Sequence, residues 1–208
     1  MCASSRPPDQ EAVPSLDGVP PSRPWDAEAD EWLVAQAVAG SRFSGQAFET
    51  LLRRHQHRIY RIALRMTGNP ADAEDVVQDV AVQLWRMLVT FSGSSTFSTW
   101  LYRIVVNRCL QLRRSQRVVG RPTEPLLDGD HPTVAGPEAR VLDLARVDAA
   151  AEALKALPAE QRTALVLCQI EGMSYREAAA VAGVTEAALR SRLERGRRSV
   201  VAAMQEWA

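Results

Sequence analysis

The sequence predicts an all-α protein, two small helical domains joined by a flexible linker, with a helix-turn-helix in the C-terminal one. Three observations carry this. Apolar residues recur at spacings of three and four along most of the 208 residues. No stretch alternates apolar and polar side chains as a half-buried strand does. Two aperiodic segments, near the start and in the middle, are rich in Pro, Gly and Ser, and neither buries enough apolar surface to offset its ordering entropy. The expected divisions are a disordered Pro-rich acidic tail over 1–26, a helical domain over 27–117, a linker over 118–139 and a second domain over 140–208.

The elements follow in order. Past the tail, with Pro7-Pro8 and Pro20-Pro21, Trp32, Leu33, Gln36 and Ala37 predict a short helix ending at Gly40. Phe48, Leu51, Leu52, His55, Ile59, Ile62, Ala63 and Met66 predict a long one from about Gly45 to Thr67, stopped by Gly68. Asn69 then caps a third helix with Pro70 at its first position, carrying Val76, Val77, Val80, Leu84 and Leu88. Ser92-Gly93-Ser94-Ser95 is a loop. A fourth helix, from about Thr96 to Arg117, has Trp100, Leu101, Ile104, Val105 and Leu112 on its apolar side. Helical pattern resumes at Glu138, with breaks at Leu157-Pro158, Glu171-Gly172 and Gly183.

Charge is neutral in sum and segregated in blocks: 25 Lys and Arg balance 25 Asp and Glu. Phe97 to Arg121 holds Arg103, Arg108, Arg113, Arg114, Arg117 and Arg121 and no acid. Such blocks point to docking on a polyanion at chosen faces. Cys2, Cys109 and Cys168 have neither disulfide-framework nor metal-ligand spacing. The start lacks a basic-then-apolar signal, and no apolar run approaches the roughly 20 residues that span a bilayer. A cytoplasmic protein without membrane insertion is therefore expected.

The sharpest local signal lies near the C-terminus. Ser174 and Glu177 form a capping box at the start of a short helix, Gly183 makes a tight turn, and Thr185 caps a second helix. Leu189, Leu193 and Val200 form that helix's buried stripe, and Arg190, Arg192, Arg195, Arg197 and Arg198 are expected outside it. A scaffold helix, a turn at Gly and a basic second helix are the grammar of a DNA-reading helix-turn-helix, although a bare arginine face is also compatible with ordinary solvation. In the first domain, Asp72, Glu74, Asp75 and Asp79 crowd the early turns of the third helix. Acids there complement the helix dipole, and without a nucleophile, His partner or phosphate loop alongside they give no support to catalysis. Phe97, Trp100 and Tyr102 join aromatic rings to the basic fourth helix, a combination that suits unstacked bases of a single strand. Core packing is the competing role for Trp100 and Tyr102, and Phe97, beside the loop, is the better stacking candidate.

These segments in order (Asp72-Ala73-Glu74-Asp75-Val76-Val77-Gln78-Asp79, Thr99-Trp100-Leu101-Tyr102-Arg103-Ile104-Val105-Val106-Asn107, Leu157-Pro158-Ala159-Glu160-Gln161-Arg162, Gly172-Met173-Ser174-Tyr175-Arg176-Glu177 and Arg190-Ser191-Arg192-Leu193) resemble the extracytoplasmic-function sigma factors. The resemblance covers about Asp30 to Met204. It implies a promoter-recognition subunit of bacterial RNA polymerase with no catalysis and no cofactor of its own. Its implied partners are core polymerase (the β′ clamp and the β flap), promoter DNA and an anti-sigma factor. Asp72, Glu74, Asp75, Gln78 and Asp79 would meet the clamp. Ser94, Ser95, Thr96, Phe97, Arg103 and Asn107 would hold the opened minus-ten strand, with one base flipped into the loop. Thr185, Arg190, Ser191, Glu194, Arg195 and Arg197 would meet the minus-thirty-five element. The chain departs from the family pattern at Gln111, often Asp, at Ala187 and Ala188, usually Gly and Thr, and at Ala81, commonly aromatic.

A dimeric helix-turn-helix repressor or activator is the alternative of a different class. It explains the C-terminal domain but leaves the acidic helix and the Trp100–Arg117 segment without a role.

Overall fold

The computed structural model describes residues 25–119 and 137–205. Among them there is no strand. The expected linker lies almost entirely outside the described residues, as does the tail up to Pro24. The tail boundary at 26 needs correction: Trp25–Ala27 form a 3-10 turn, and Trp25 packs on Trp32 and Phe43 with ring centroids 5.6 and 5.9 Å away.

The first half comprises α1 (Asp30–Val38), α2 (Ser44–Thr67), α3 (Pro70–Met87) and α4 (Phe97–Val119). The central helix is α2, which touches all three others. Leu51, Ile59, Ile62 and Met66 of α2, with Val76, Val80 and Leu84 of α3, are fully buried, as the spacing of three and four predicts. The α2-to-α3 junction is tight because Asn69 does two jobs. It follows Gly68, which ends α2, and its Oδ1 accepts the Asp72 N–H at 3.0 Å. Within the stripe, His55 is buried and polar. Its Nε2 lies 2.7 Å from Asp30 Oδ2 and its Nδ1 3.0 Å from the Tyr102 hydroxyl. A carboxylate only accepts, so Nε2 carries a proton and donates, and in the neutral ring Nδ1 accepts from Tyr102. This network ties α1, α2 and α4 together. Burial pushes the Tyr102 phenol up.

The second half comprises α5 (Pro137–Ala156), α6 (Ala159–Leu165), a π-helical segment (Val166–Ile170), α7 (Tyr175–Ala182) and α8 (Glu186–Met204). Helices α5, α6 and α7 each pack on α8. The capping box is present: Glu177 N–H donates to Ser174 Oγ at 3.3 Å and Ser174 N–H to Glu177 Oε2 at 3.0 Å. Hydrogen bonds from Ser174 hold the Glu177 carboxyl below its usual range. Gly183 turns the chain at φ 67°, a left-handed conformation costly for any residue with a Cβ, and Thr185 Oγ1 accepts the Ala188 N–H at 3.2 Å. On α8, Gly196 interrupts the arginines because that face touches α6. A Cβ there would stand 3.3 Å from the Gln161 carbonyl oxygen.

The halves are packed together. Helix α7 lies on α4, and α2 meets α5, α6 and the π-helical segment. Met66 at the end of α2 touches Thr163 of α6, with Oγ1 3.7 Å from Sδ.

Candidate nucleic-acid interface

The helix-turn-helix presents its second helix to solvent. Leu189 and Leu193 are buried and Val200 half-buried, while Thr185, Arg190, Ser191, Glu194, Arg195, Arg197 and Arg198 are exposed. Capping by Thr185 and the turn at Gly183 fix the angle between α7 and α8. Arg190 is braced on its own half, 3.3 Å from Glu186 and with its guanidinium 5.1 Å from the centre of the Tyr175 ring. Arg192 departs from expectation: it turns inward to Glu160 at 3.2 Å and is only 23% exposed. The exposed arginines are therefore Arg190, Arg195, Arg197 and Arg198, a set of donors suited to phosphates and base edges.

The loop before α4 is exposed from Ser92 to Thr96. Thr96 caps α4, its Oγ1 accepting the Thr99 N–H at 3.3 Å and lying 2.8 Å from Thr99 Oγ1. Ser94 and Ser95 keep hydroxyls at the surface. Phe97 corrects the sequence expectation: it is 0% exposed, in ring contact with His55, Phe91 and Trp100 at 5.4, 5.8 and 6.0 Å. A ring enclosed by three others has no face left for a base. The surface at this edge is left not to Phe97 but to two half-buried rings that pack on each other, Trp100 and Phe91.

One and two turns further along α4, Arg103 and Asn107 face the C-terminal half. Arg103 Nε donates to the Ala180 carbonyl of α7 at 3.0 Å, so its guanidinium is already engaged. Asn107 is exposed and lines a cleft of about 570 Å³ with Arg113 and Arg114 of α4 and Glu160 and Arg192 opposite.

The acidic helix divides into two sets. Glu74, Asp75 and Gln78 are exposed. Asp72 and Asp79 are directed to α4: Asp72 Oδ2 accepts from Gln116 at 2.7 Å, and Asp79 Oδ2 accepts from Arg108 Nε at 2.7 Å. Those two carboxylates hold α3 on α4. Glu74 and Gln78 instead line a groove of about 320 Å³ with Gln56, His57, Tyr60 and Val77. No group of three His, Cys, Asp or Glu among the described residues is placed to hold a metal ion. The Cys109 thiol is pushed up to about 12 by burial.

Two family models match this chain, sigma-70 region 2 over residues 51–118 and sigma-70 region 4 over 148–200. The extracytoplasmic-function sigma factor SigM of Mycobacterium tuberculosis is 36% identical over 169 residues, covering 81% of either chain. SigE of Mycolicibacterium smegmatis is also 36% identical, over 78% of this chain and 63% of its own length. Among solved structures, CnrH in complex with the cytosolic domain of CnrY is 34% identical, with a TM-score of 0.63 over 86% of this chain and 99% of that one. The sigma factor RpoE in complex with the anti-sigma factor NepR, from Bartonella quintana, is 29% identical, with a TM-score of 0.62 over 76% of this chain and 96% of that one. All-helical fold, helix-turn-helix and both matched regions define a sigma factor. The chain belongs to the extracytoplasmic-function group of the sigma-70 family. It binds RNA polymerase and gives transcription initiation its promoter specificity.

Sequence reasoning missed the groups that join the halves. Arg58 and Arg61 of α2 both reach Glu171, and Arg162 of α6 reaches the Met66 carbonyl. These partners lie 96 to 113 residues apart, and no local spacing links them. The one visible signal is Arg162 itself, a charged residue inside the apolar pattern of α6, 1% exposed.

Proposed function

We propose that promoter recognition is divided between the halves, with α8 reading the minus-thirty-five duplex and the α4 edge capturing the opened minus-ten strand. The observation that carries this is the set of exposed arginines on α8, which follows a capped helix and a left-handed turn, a rigid mount for major-groove contacts. In this reading Arg190 or Arg195 contacts a base edge, with Ser191 and Glu194 beside them, and Arg197 contacts phosphate. At the other site, Ser94, Ser95 and Thr96 hold a flipped base by hydrogen bonds, Trp100 supplies the ring face, and Arg103 and Asn107 line the strand. Stacking of about 1–3 kcal/mol per base offsets an unstacking cost of a few kcal/mol, so binding energy opens the duplex without a nucleotide-driven step. The chain then acts without catalysis of its own.

Glu74, Asp75 and Gln78, exposed on one face of α3, form the surface for the β′ clamp, and the C-terminal domain over 140–208 meets the β flap. Residues 27–117, extended at the start to Trp25, make the other domain and 118–139 the connection. The complex of the related RpoE with the anti-sigma factor NepR supports an anti-sigma partner for this chain as well. Among the described residues no helix is long and apolar enough to cross a membrane. The site of action follows from the partners: the chain works in the cytoplasm, where bacterial polymerase meets promoter DNA. Run-off transcription with core polymerase tests the assignment. Core plus this chain initiates at discrete promoters on its own genomic DNA and core alone does not. Tight, specific duplex binding by the free chain, with no effect on initiation, supports the dimeric repressor reading instead.

A further inference from the structure

We propose that Glu194 is a specificity-determining residue of α8, selecting a cytosine in the upstream duplex by accepting a hydrogen bond from its exocyclic amino group. This inference rests on reading α8 as the helix that enters the minus-thirty-five major groove.

Helical phase places the residue. Leu189, Leu193, Gly196 and Val200 mark the face of α8 turned to its own half. Ala187, Ser191, Glu194 and Arg198 repeat the same spacing two residues earlier, hence about 200° around the helix, and all four are exposed. Theirs is the face directed straight outward. Arg190 and Arg197 flank it on one side and Arg195 on the other. Ala187 and Ser191 are small, so the first two turns can come close to the bases. Glu194 is the first long side chain on that face, counted from the helix end that a helix-turn-helix directs at base edges.

Its lack of a partner sets it apart. Glu152, Glu160, Glu171 and Glu186 are in ion pairs, and Glu177 is in the capping box. Among the described residues Glu194 has no ion pair, although Arg190 stands four residues before it and Arg197 and Arg198 three and four after. Those are the spacings at which helix side chains meet. Arg190 turns the other way, to Glu186 and to the Tyr175 ring. The carboxylate therefore reaches DNA with its acceptor oxygens free.

Beside the phosphates such a group weakens binding to every sequence by repulsion. On the groove floor the base edges decide, because a carboxylate only accepts. Guanine presents the N7 and O6 acceptors and thymine the O4 acceptor, and both repel it. Adenine offers an amino group with the N7 acceptor beside it, whereas cytosine offers its N4 amino group alone. The penalty at the wrong bases and the hydrogen bond at cytosine then work in the same direction.

The test uses holoenzyme, core polymerase with the full chain, on a promoter found by run-off transcription and randomised in its upstream element. Open complexes are selected and their DNA sequenced. Parent holoenzyme is expected to enrich cytosine about tenfold at one position, which equals about 1.4 kcal/mol. Glu194→Gln keeps the size and is expected to move that position to adenine, whose N6 and N7 match an amide. Glu194→Ala should lose the preference there alone, and should bind scrambled upstream duplex more tightly because a negative charge is gone. An unaltered profile in both variants, shown to be folded by their melting curves, overturns the proposal and leaves α8 as the reader. If the position that these variants change prefers another base in the parent, the proposal falls as well. A flat parent profile, with no upstream preference at all, sinks the reading of α8 and the proposal with it.

Discussion

Helices α4 and α8 both carry arginines, yet three guanidinium groups on each have opposite fates. On α8, Arg195, Arg197 and Arg198 stand in solvent, and Arg190 touches only its own half. On α4, Arg103 donates to Ala180, Arg108 to Asp79 and Arg113 to Met66. The acid-free stretch from Phe97 to Arg121 reads as the stronger polyanion site, but acceptors for Arg103, Arg108 and Arg113 come from other elements. Charge density along a sequence measures how much charge an element carries. Where that charge goes is decided by tertiary packing.

The largest effect separates the two aromatic residues at the α4 edge. Phe97→Ala removes a ring enclosed by others and is expected to cost about 3–5 kcal/mol of stability, read from urea melts. Trp100→Ala costs less stability and weakens capture of the opened strand by about 1–3 kcal/mol in holoenzyme, read with a single-stranded probe. Equal stability losses for the two would erase the distinction between core ring and stacking ring.

Next comes Arg195 against Arg108. Arg195→Ala is expected to leave stability within about 0.5 kcal/mol and to cost about 1–3 kcal/mol on the upstream element, with relaxed base choice, if it reads a base edge. Arg108→Ala breaks a half-exposed pair with Asp79 and should cost up to about 1 kcal/mol of stability. A stability loss for Arg195→Ala as large as that for Arg108→Ala would show that α8 is also engaged internally.

A smaller effect concerns acid. Burial raises the Asp30 carboxyl, but hydrogen bonds and charge from His55 and Arg54 outweigh this and hold it below its usual range. Its folded pKa therefore lies beneath its unfolded one, about 3.9. The stabilisation is present above the unfolded value and disappears as pH falls through the folded value. Urea midpoints followed downward from about pH 5 should fall less steeply in Asp30→Asn than in the parent chain. Parallel slopes would remove the Asp30–His55–Tyr102 network from the account of stability.

The helix-turn-helix was legible because each of its signals is local: a capping box within Ser174–Glu177, a turn at Gly183, a cap at Thr185. The boundaries of α2 and α3 were legible for the same reason, at Gly68 and Asn69. Phe97 was misread, although it extends the Leu101, Ile104 and Val105 stripe one turn earlier at the same spacing. Its place beside a Ser-rich loop outweighed that periodicity. The division of the acidic helix, with Asp72 and Asp79 turned to α4 and Glu74 and Asp75 outward, was in principle visible as helical phase. The docking of the two halves left one sequence signature, Arg162 inside the apolar pattern of α6, and nothing local that names its partner or those of Glu171 in the far half.

The division of labour between α8 and α4 is tested most directly by initiation on two templates, a duplex promoter and the same promoter with a pre-melted minus-ten bubble. Core polymerase is supplied with the parent chain, Arg195→Ala or Asn107→Ala, and open complexes are followed by permanganate reactivity. The account predicts that Asn107→Ala slows opening on the duplex and recovers on the bubble, because strand capture is its defect. Arg195→Ala should stay impaired on both, because the upstream duplex is unchanged. Recovery of Arg195→Ala on the bubble, with Asn107→Ala impaired on neither template, would contradict it.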